Sequence, residues 1–301
     1  MARRLTPVRA LTLSLAAALS GILAVTAATP ALAVGGRHAS TPPPTAPTRA
    51  MWVWTADDPA GVVAFAQERG VTRLFVAVPP QVTSSPDLPR LQQLSAQARA
   101  AGMQVDALGG DPGWVDSPSW VVSSWLTPAL ATGLFTGVHV DVEPYLLASW
   151  STDQSGTVKR YLSLLSTLAS SAGASHPLEA DIPFWFNTLS YGRTSLDRAV
   201  MARVAGTTVM AYRNHAAGTD GTLDIAAAAL ASAAATGKPI RIGQETNDLG
   251  SDPEEVKQTF FGMTCTQMEA ELAAIDAALT GSATYAGIAV EDYRGWAAMA
   301  P

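Results

Sequence analysis

The sequence predicts a single α/β domain closed as a (β/α)8 TIM barrel, and three observations predict it. From Ala50 onward, short runs rich in β-branched and aromatic residues alternate with longer alanine-rich stretches at helical period. There are eight such runs and seven intervening stretches over about 250 residues, which is the count of an eight-stranded barrel. The first run is followed by TADDPAG, without the G-x-G-x-x-G loop that an open doubly wound sheet usually carries after its first strand. That open sheet is the alternative fold.

In chain order, strands are expected at 51–55, 73–78, 104–108, 137–143, 178–184, 207–212, 240–245 and 286–292. Helices are expected at 59–69, 88–101, 117–131, 157–172, 196–204, 222–236 and 266–279. Gly70, Gly102, Gly133, Gly173, Gly237 and Gly281 follow the last turns of six of these helices, where a C-terminal cap calls for glycine.

The N-terminus does not belong to this pattern. Arg3, Arg4 and Arg9 lead into an apolar, alanine- and leucine-rich run, and Ala31-Leu32-Ala33 supplies an A-x-A cleavage site. Residues 1–33 therefore read as a secretory signal peptide. The run is shorter than the ~20 residues of a membrane span, so no stable membrane insertion is expected once the peptide is removed. Residues 34–49, rich in Pro, Thr and Ala, read as an extended tether, leaving 50–301 as the barrel. Cleavage leaves 16 basic and 25 acidic residues, a net charge near −9, which argues against nucleic acid as a partner. Cys265 is the only cysteine, so an internal disulfide is excluded and the core must stabilise an exported chain alone.

Active sites of such barrels sit at the C-terminal ends of the strands. Here those ends carry Trp54-Thr55, Asp111, Asp141 and Glu143, Asp181, Tyr212-Arg213, Gln244-Glu245 and Glu291-Asp292. Carboxylates thus converge on one mouth from at least four strands. The densest stretch is GVHVDVEPY at 137–145. Alternation along a strand puts His139, Asp141 and Glu143 on one face and Val138, Val140 and Val142 on the other. In a barrel the valines pack outward against helices and the polar face climbs toward the mouth. Two carboxylates at i and i+2 repel one another, which keeps one protonated near neutral pH and fit to act as a general acid. A protonated His139 would work against this by lowering both carboxyl pKa values.

The stretch TGVHVDVE resembles the strand-four signature D-G-x-D-x-D-x-E of the family 18 glycoside hydrolases, the chitinase-like barrels. Gly137, Asp141 and Glu143 match, while Thr136 and His139 replace two aspartates. Met210-Ala211-Tyr212 resembles the family's M-x-Y-D on strand six, with Arg213 in place of the aspartate. Trp296 is a loose counterpart of the tryptophan on the family's strand eight. The resemblance implies a secreted hydrolase of glycosidic bonds with an oligo- or polysaccharide substrate and no cofactor. Glu143 would be the proton donor, Asp141 would orient an N-acetyl group, and the Tyr212 hydroxyl would hold that group as it attacks the anomeric carbon.

A second arrangement fits the same strand. An E-P pair such as Glu143-Pro144 also ends strand four in a large clan of retaining glycosidases, whose nucleophile is a glutamate ending strand seven. Glu245 stands there, although Val142 replaces that clan's asparagine. Indole faces stack on sugar rings, so Trp54, Trp114 and Trp185 suit a saccharide cleft, although packing alone would account for many of the eight tryptophans. His139, Asp181, Met210, Arg213 and Asp292 complete the expected substrate contacts. Two rivals stand beside hydrolysis. One is a lectin-like barrel that binds saccharide without cleaving it. The other is a metal-dependent hydrolase ligated by His139, Asp141 and Glu143 with Asp106 or Asp181, against which stand the absence of H-x-H and H-E-x-x-H and a total of four histidines.

Overall fold

Each of the eight apolar runs becomes a parallel strand, and each strand but the last leads into one of the expected helices. The structure is a computed structural model that describes residues 48–55 and 57–301. The expected signal peptide and nearly all of the tether lie outside the described residues. The strands are β1 (Thr48–Val53), β2 (Val71–Ala77), β3 (Gln104–Gly109), β4 (Gly137–Val140), β5 (Leu178–Pro183), β6 (Gly206–Met210), β7 (Ile240–Glu245) and β8 (Tyr285–Glu291). They close in the order β1-β8-β7-β6-β5-β4-β3-β2. Every pairing around the ring is parallel. The barrel is therefore the fold, and the open sheet is not.

Most strand boundaries shift by one to three residues from the sequence expectation, and two of the shifts change how residues are placed. Thr48 and Arg49, assigned to the tether, are already in β1, where they pair with Gly287 and Ile288 of β8. Their composition is that of the tether, and only closure of the ring recruits them. At the other end of the reading, β4 stops at Val140, so Asp141 and Glu143 stand just beyond the strand rather than within it. Asp141 N still bonds Gly109 O at 3.0 Å, which prolongs the ladder by one step toward the mouth.

The helices are α1 (Pro59–Glu68), α2 (Leu88–Ala100), α3, α4 (Gln154–Ala172), α5 (Leu196–Met201), α6 (Thr222–Thr236), α7 (Cys265–Leu279) and a short α8 (Tyr293–Ala297). Helix α3 is composite: Pro118–Trp120 and Thr127–Ala131 flank a π-helical stretch, Val121–Leu126. The six glycines expected to end helices all have φ between +66° and +93°, a region that residues with a Cβ avoid. Among the described residues, no helix is long and apolar enough to cross a membrane.

Strand alternation divides the core in two. Val138, Val140 and Val142 face outward into one large apolar cluster shared with helix residues such as Leu94, Leu164 and Leu168. The inward face forms a second, small cluster of Ala50, Trp52, Phe75, Leu108 and Ala289, all at most 1% exposed. His139 completes that layer: its ring stacks on Phe75 at 3.6 Å between centroids, and Trp52 meets its edge at 5.8 Å. Toward the N-terminal ends of the strands lies a buried ion network. Arg73 reaches Asp106 (Nε to Oδ2, 2.9 Å) and Glu179 (2.8 Å), and Arg241 holds the other oxygen of Glu179. Burial would push Glu179 up, but Arg241 and Arg73 outweigh it and hold its carboxyl below the usual range. Thr136, standing where the resembling family has an aspartate, donates to Asp106 at 3.0 Å in the same network.

Candidate active site

Above this floor, the inward parity of the strands delivers acids to one mouth. Strand β4 brings Asp141 and Glu143, β5 brings Asp181, β7 brings Glu245 and β8 brings Glu291. Glu245 and Glu291 are register partners on adjacent strands, so their side chains leave one face a single strand spacing apart. Glycines make the room. A Cβ on Gly110 would lie 1.9 Å from the Asp141 carbonyl oxygen, so the loop after β3 can pass this close only with hydrogen there. Gly243 likewise leaves space for the Tyr212 ring, which a Cβ would approach to 3.2 Å.

Each acid has a different set of partners. Asp181, 3% exposed, accepts from Trp52 Nε1 at 3.3 Å and lies 2.8 Å from His139 Nε2. Glu143 accepts from the Tyr145 hydroxyl. Glu291 receives Trp54 Nε1 on one oxygen at 3.0 Å and the Tyr212 hydroxyl on the other. Glu245 Oε1 collects three donors from the loop that follows it: Thr246 N and Asn247 N at 2.7 Å and Asn247 Nδ2 at 2.8 Å. Asp141 is the exception, because its Oδ1 is buried without a hydrogen-bond partner.

Burial raises all five carboxyl pKa values, and neighbouring acids add to the rise in Asp141, Asp181, Glu245 and Glu291. Asp141 stands well above the usual carboxylate range through burial, then through Asp181, Glu143, Glu291 and Glu245 in that order. Asp181 is raised likewise by burial and by Glu291, against the bond from Trp52. Burial raises Glu143, and the Tyr145 bond moderates the rise. Glu245 is pushed up to about 8 by burial and by Glu291 beside it, despite its three N–H donors. Burial also raises Glu291, with the Tyr212 and Trp54 bonds opposing it. The group is thus partly protonated at neutral pH, the state a general acid requires. His139 does not play the part the sequence suggested. Burial drops it to about 3, so it is neutral and lends no positive charge to Asp141.

The expected contact residues divide. Trp54 is in the site through Glu291, and half-buried Trp185 packs beside Tyr145 at 5.2 Å between ring centroids. Met210 ends β6, partly buried, two residues before Tyr212. His139 is fully enclosed in the floor. Three others are engaged elsewhere. Trp114 is buried against Trp125 at 4.7 Å between centroids. Asp292 caps α8 by accepting from Gly295 N at 3.0 Å. Arg213 bonds the Tyr212 carbonyl oxygen and Asp220, both at 2.7 Å, and lies over the Phe184 ring. Arg213 and Asp220 both lie in the loop after β6, and Asp220 is also held by Lys257, which fastens that loop to the loop after β7. The sequence puts Glu291 at a strand end without a role and does not single out Tyr145. Parity could have found Glu291, since Ala289 two residues earlier faces the barrel interior; Tyr145 lies past the strand, where alternation gives no direction. Among the described residues, no group of three His, Cys, Asp or Glu side chains is arranged to hold a metal ion.

No protein-family model matches the sequence, and no curated protein matches it. Solved structures do. A chitinase from Bacteroides thetaiotaomicron superposes with a TM-score of 0.59 over 83% of this chain and 91% of that one, at 10% identity. A chitinase from Rhizomucor miehei gives 0.55 over 82% and 95%, at 13% identity. A class V chitinase from Pseudomonas fluorescens Pf-5 gives 0.55 over 84% and 98%, at 14% identity. The fold is that of the chitinase barrels. The resemblance carried by the strand-four residues is met at that level, and fold alone does not assign chemistry.

Proposed function

We propose that this barrel hydrolyses glycosidic bonds, with Glu143 as the proton donor. The observation that carries the reading is the Asp141–Glu143 pair just beyond β4, at the mouth of a chitinase-like barrel, with Asp141 Oδ1 buried and unpartnered. A protonated Glu143 gives its proton to the glycosidic oxygen as the bond to the anomeric carbon breaks. The Tyr145 hydroxyl, already directed at Glu143, then stabilises the carboxylate that remains. Asp141, with an unused acceptor, is free to orient the sugar. Export belongs to the same proposal: residues 1–33 read as a signal peptide, and the mature protein recovered from a culture medium should then begin at Val34.

Glu143→Gln keeps the shape and removes the proton. Turnover of a responsive glycan should fall roughly 10²–10⁴-fold, as for loss of a general acid, while glycan binding by calorimetry persists. Undiminished turnover in that variant would refute the assignment. A wild-type protein that binds glycans and cleaves none would instead be the lectin-like barrel.

A further inference from the structure

The mouth is rich in acceptors, and the hydroxyl and N–H donors that reach Glu143, Glu245 and Glu291 are spent on those acids. The Tyr145 hydroxyl goes to Glu143, the Tyr212 hydroxyl and the Trp54 N–H go to Glu291, and the amides of Thr246 and Asn247 go to Glu245. An N-acyl group on a sugar needs a donor for its carbonyl oxygen, and the residue expected to supply one, Tyr212, is held by an acid. Cations are missing as well. Among the described residues, no Lys or Arg forms an ion pair with Asp141, Glu143, Asp181, Glu245 or Glu291. Arg73 and Arg241 are held by Glu179 below the floor, and Arg213 is turned to Asp220. The buried Oδ1 of Asp141, aimed into this group without a partner, is an independent sign that a donor from outside completes the site.

We propose that the substrate is a glycan whose hexosamine at the cleavage point carries a free, protonated amine, received by Asp141 together with the Glu245–Glu291 pair. An ammonium group supplies three N–H donors and the positive charge that the mouth lacks. A free amine has no acyl oxygen to attack the anomeric carbon. The new bond to that carbon therefore comes from a water that ionised Glu245 deprotonates, or from the Glu245 carboxylate itself. In the second case a water later displaces the sugar from Glu245 and frees the carboxylate. The bond to the leaving oxygen breaks, and that oxygen departs as an alcohol carrying the proton from Glu143.

This inference rests on the hydrolase reading, and the test separates the two. Full-length mature protein is incubated with glucosamine and galactosamine oligomers, each as the free amine and fully N-acetylated, with a neutral glucan as control. Products are read by mass spectrometry, and binding to the Glu143→Gln variant is read by calorimetry. The free-amine oligomers should be cleaved at least tenfold faster than their N-acetylated forms, and their binding should weaken as salt is raised. Glu291→Gln should raise KM for the free-amine oligomer about tenfold, with a smaller change in kcat. Equal or faster cleavage of the N-acetylated or neutral glycan overturns the inference and leaves the hydrolase reading intact. If nothing is cleaved, the hydrolase reading falls. Binding then decides: selective binding of the free-amine oligomers upholds the cationic-sugar site, and its absence overturns it.

Discussion

Glu245 shows how far the mouth departs from what a stable protein would choose. Its folded-state pKa, raised to about 8, exceeds the usual glutamate value, so the folded chain holds this proton more tightly than the unfolded one. Ionisation of Glu245 therefore opposes folding. The penalty is absent below the unfolded value near 4.5 and grows as pH rises to about 8. Glu245→Gln keeps Oε1 as an acceptor for its three N–H donors and cannot ionise. It should leave stability unchanged at pH 4 and raise it at pH 8.5, by on the order of a few kcal/mol at most, since each pKa unit is worth about 1.4 kcal/mol. Thermal unfolding at the two pH values checks this, and an equal effect at both would show that ionisation is not the cause. At this scale the sequence was legible where parity spoke: it set Asp141 and Glu143 inward. It misled at His139, because a quartet of letters cannot say that Phe75 and Trp52 will enclose the ring and strip its proton.

At the scale of elements, strand positions follow from β-branched runs and glycine stops, and the eight strands fall where those signals put them. What the sequence could not show is contact between loops. Arg213 looked like a substrate residue because it follows Tyr212; only the fold turns it to Asp220, which Lys257 of the loop after β7 also holds. The approach of the loop after β3 to the end of β4 is of the same kind. Gly110 sits against the Asp141 carbonyl, backbone on backbone, so no rotamer change can relieve an added methyl. Gly110→Ala should destabilise the fold by about 1–3 kcal/mol or more, as overpacking does, and should displace Asp141. Urea unfolding reads the first effect, and loss of turnover beyond the loss of folded protein reads the second. A variant as stable and active as the wild type would mean that the two loops can part freely.

For the whole molecule, closure of the ring depends on a core that changes character along its axis. The outer layer is apolar and legible from alternation, whereas the innermost layer at the bottom is ionic and was not. Arg241, far from Arg73 in chain order but inward on its own strand, joins it in clamping Glu179 beneath the floor. Breaking one arm of such a pair leaves a buried charge under-compensated, at a cost of about 3–5 kcal/mol. Arg241→Met should lower Tm at neutral pH by roughly 2–4 °C for each kcal/mol lost. A Tm within 2 °C of the wild type would show that Arg73 alone suffices for Glu179.

The same floor decides how molecules move. With Trp52, Phe75, Leu108 and His139 closing the axis above the ion network, the barrel is a cup rather than a tube. Under the proposed function, a polymeric glycan could not be threaded through it and would lie across the rim, with one linkage lowered toward Glu143. Whatever reaches that carboxyl, glycan or water, enters and leaves by the same door.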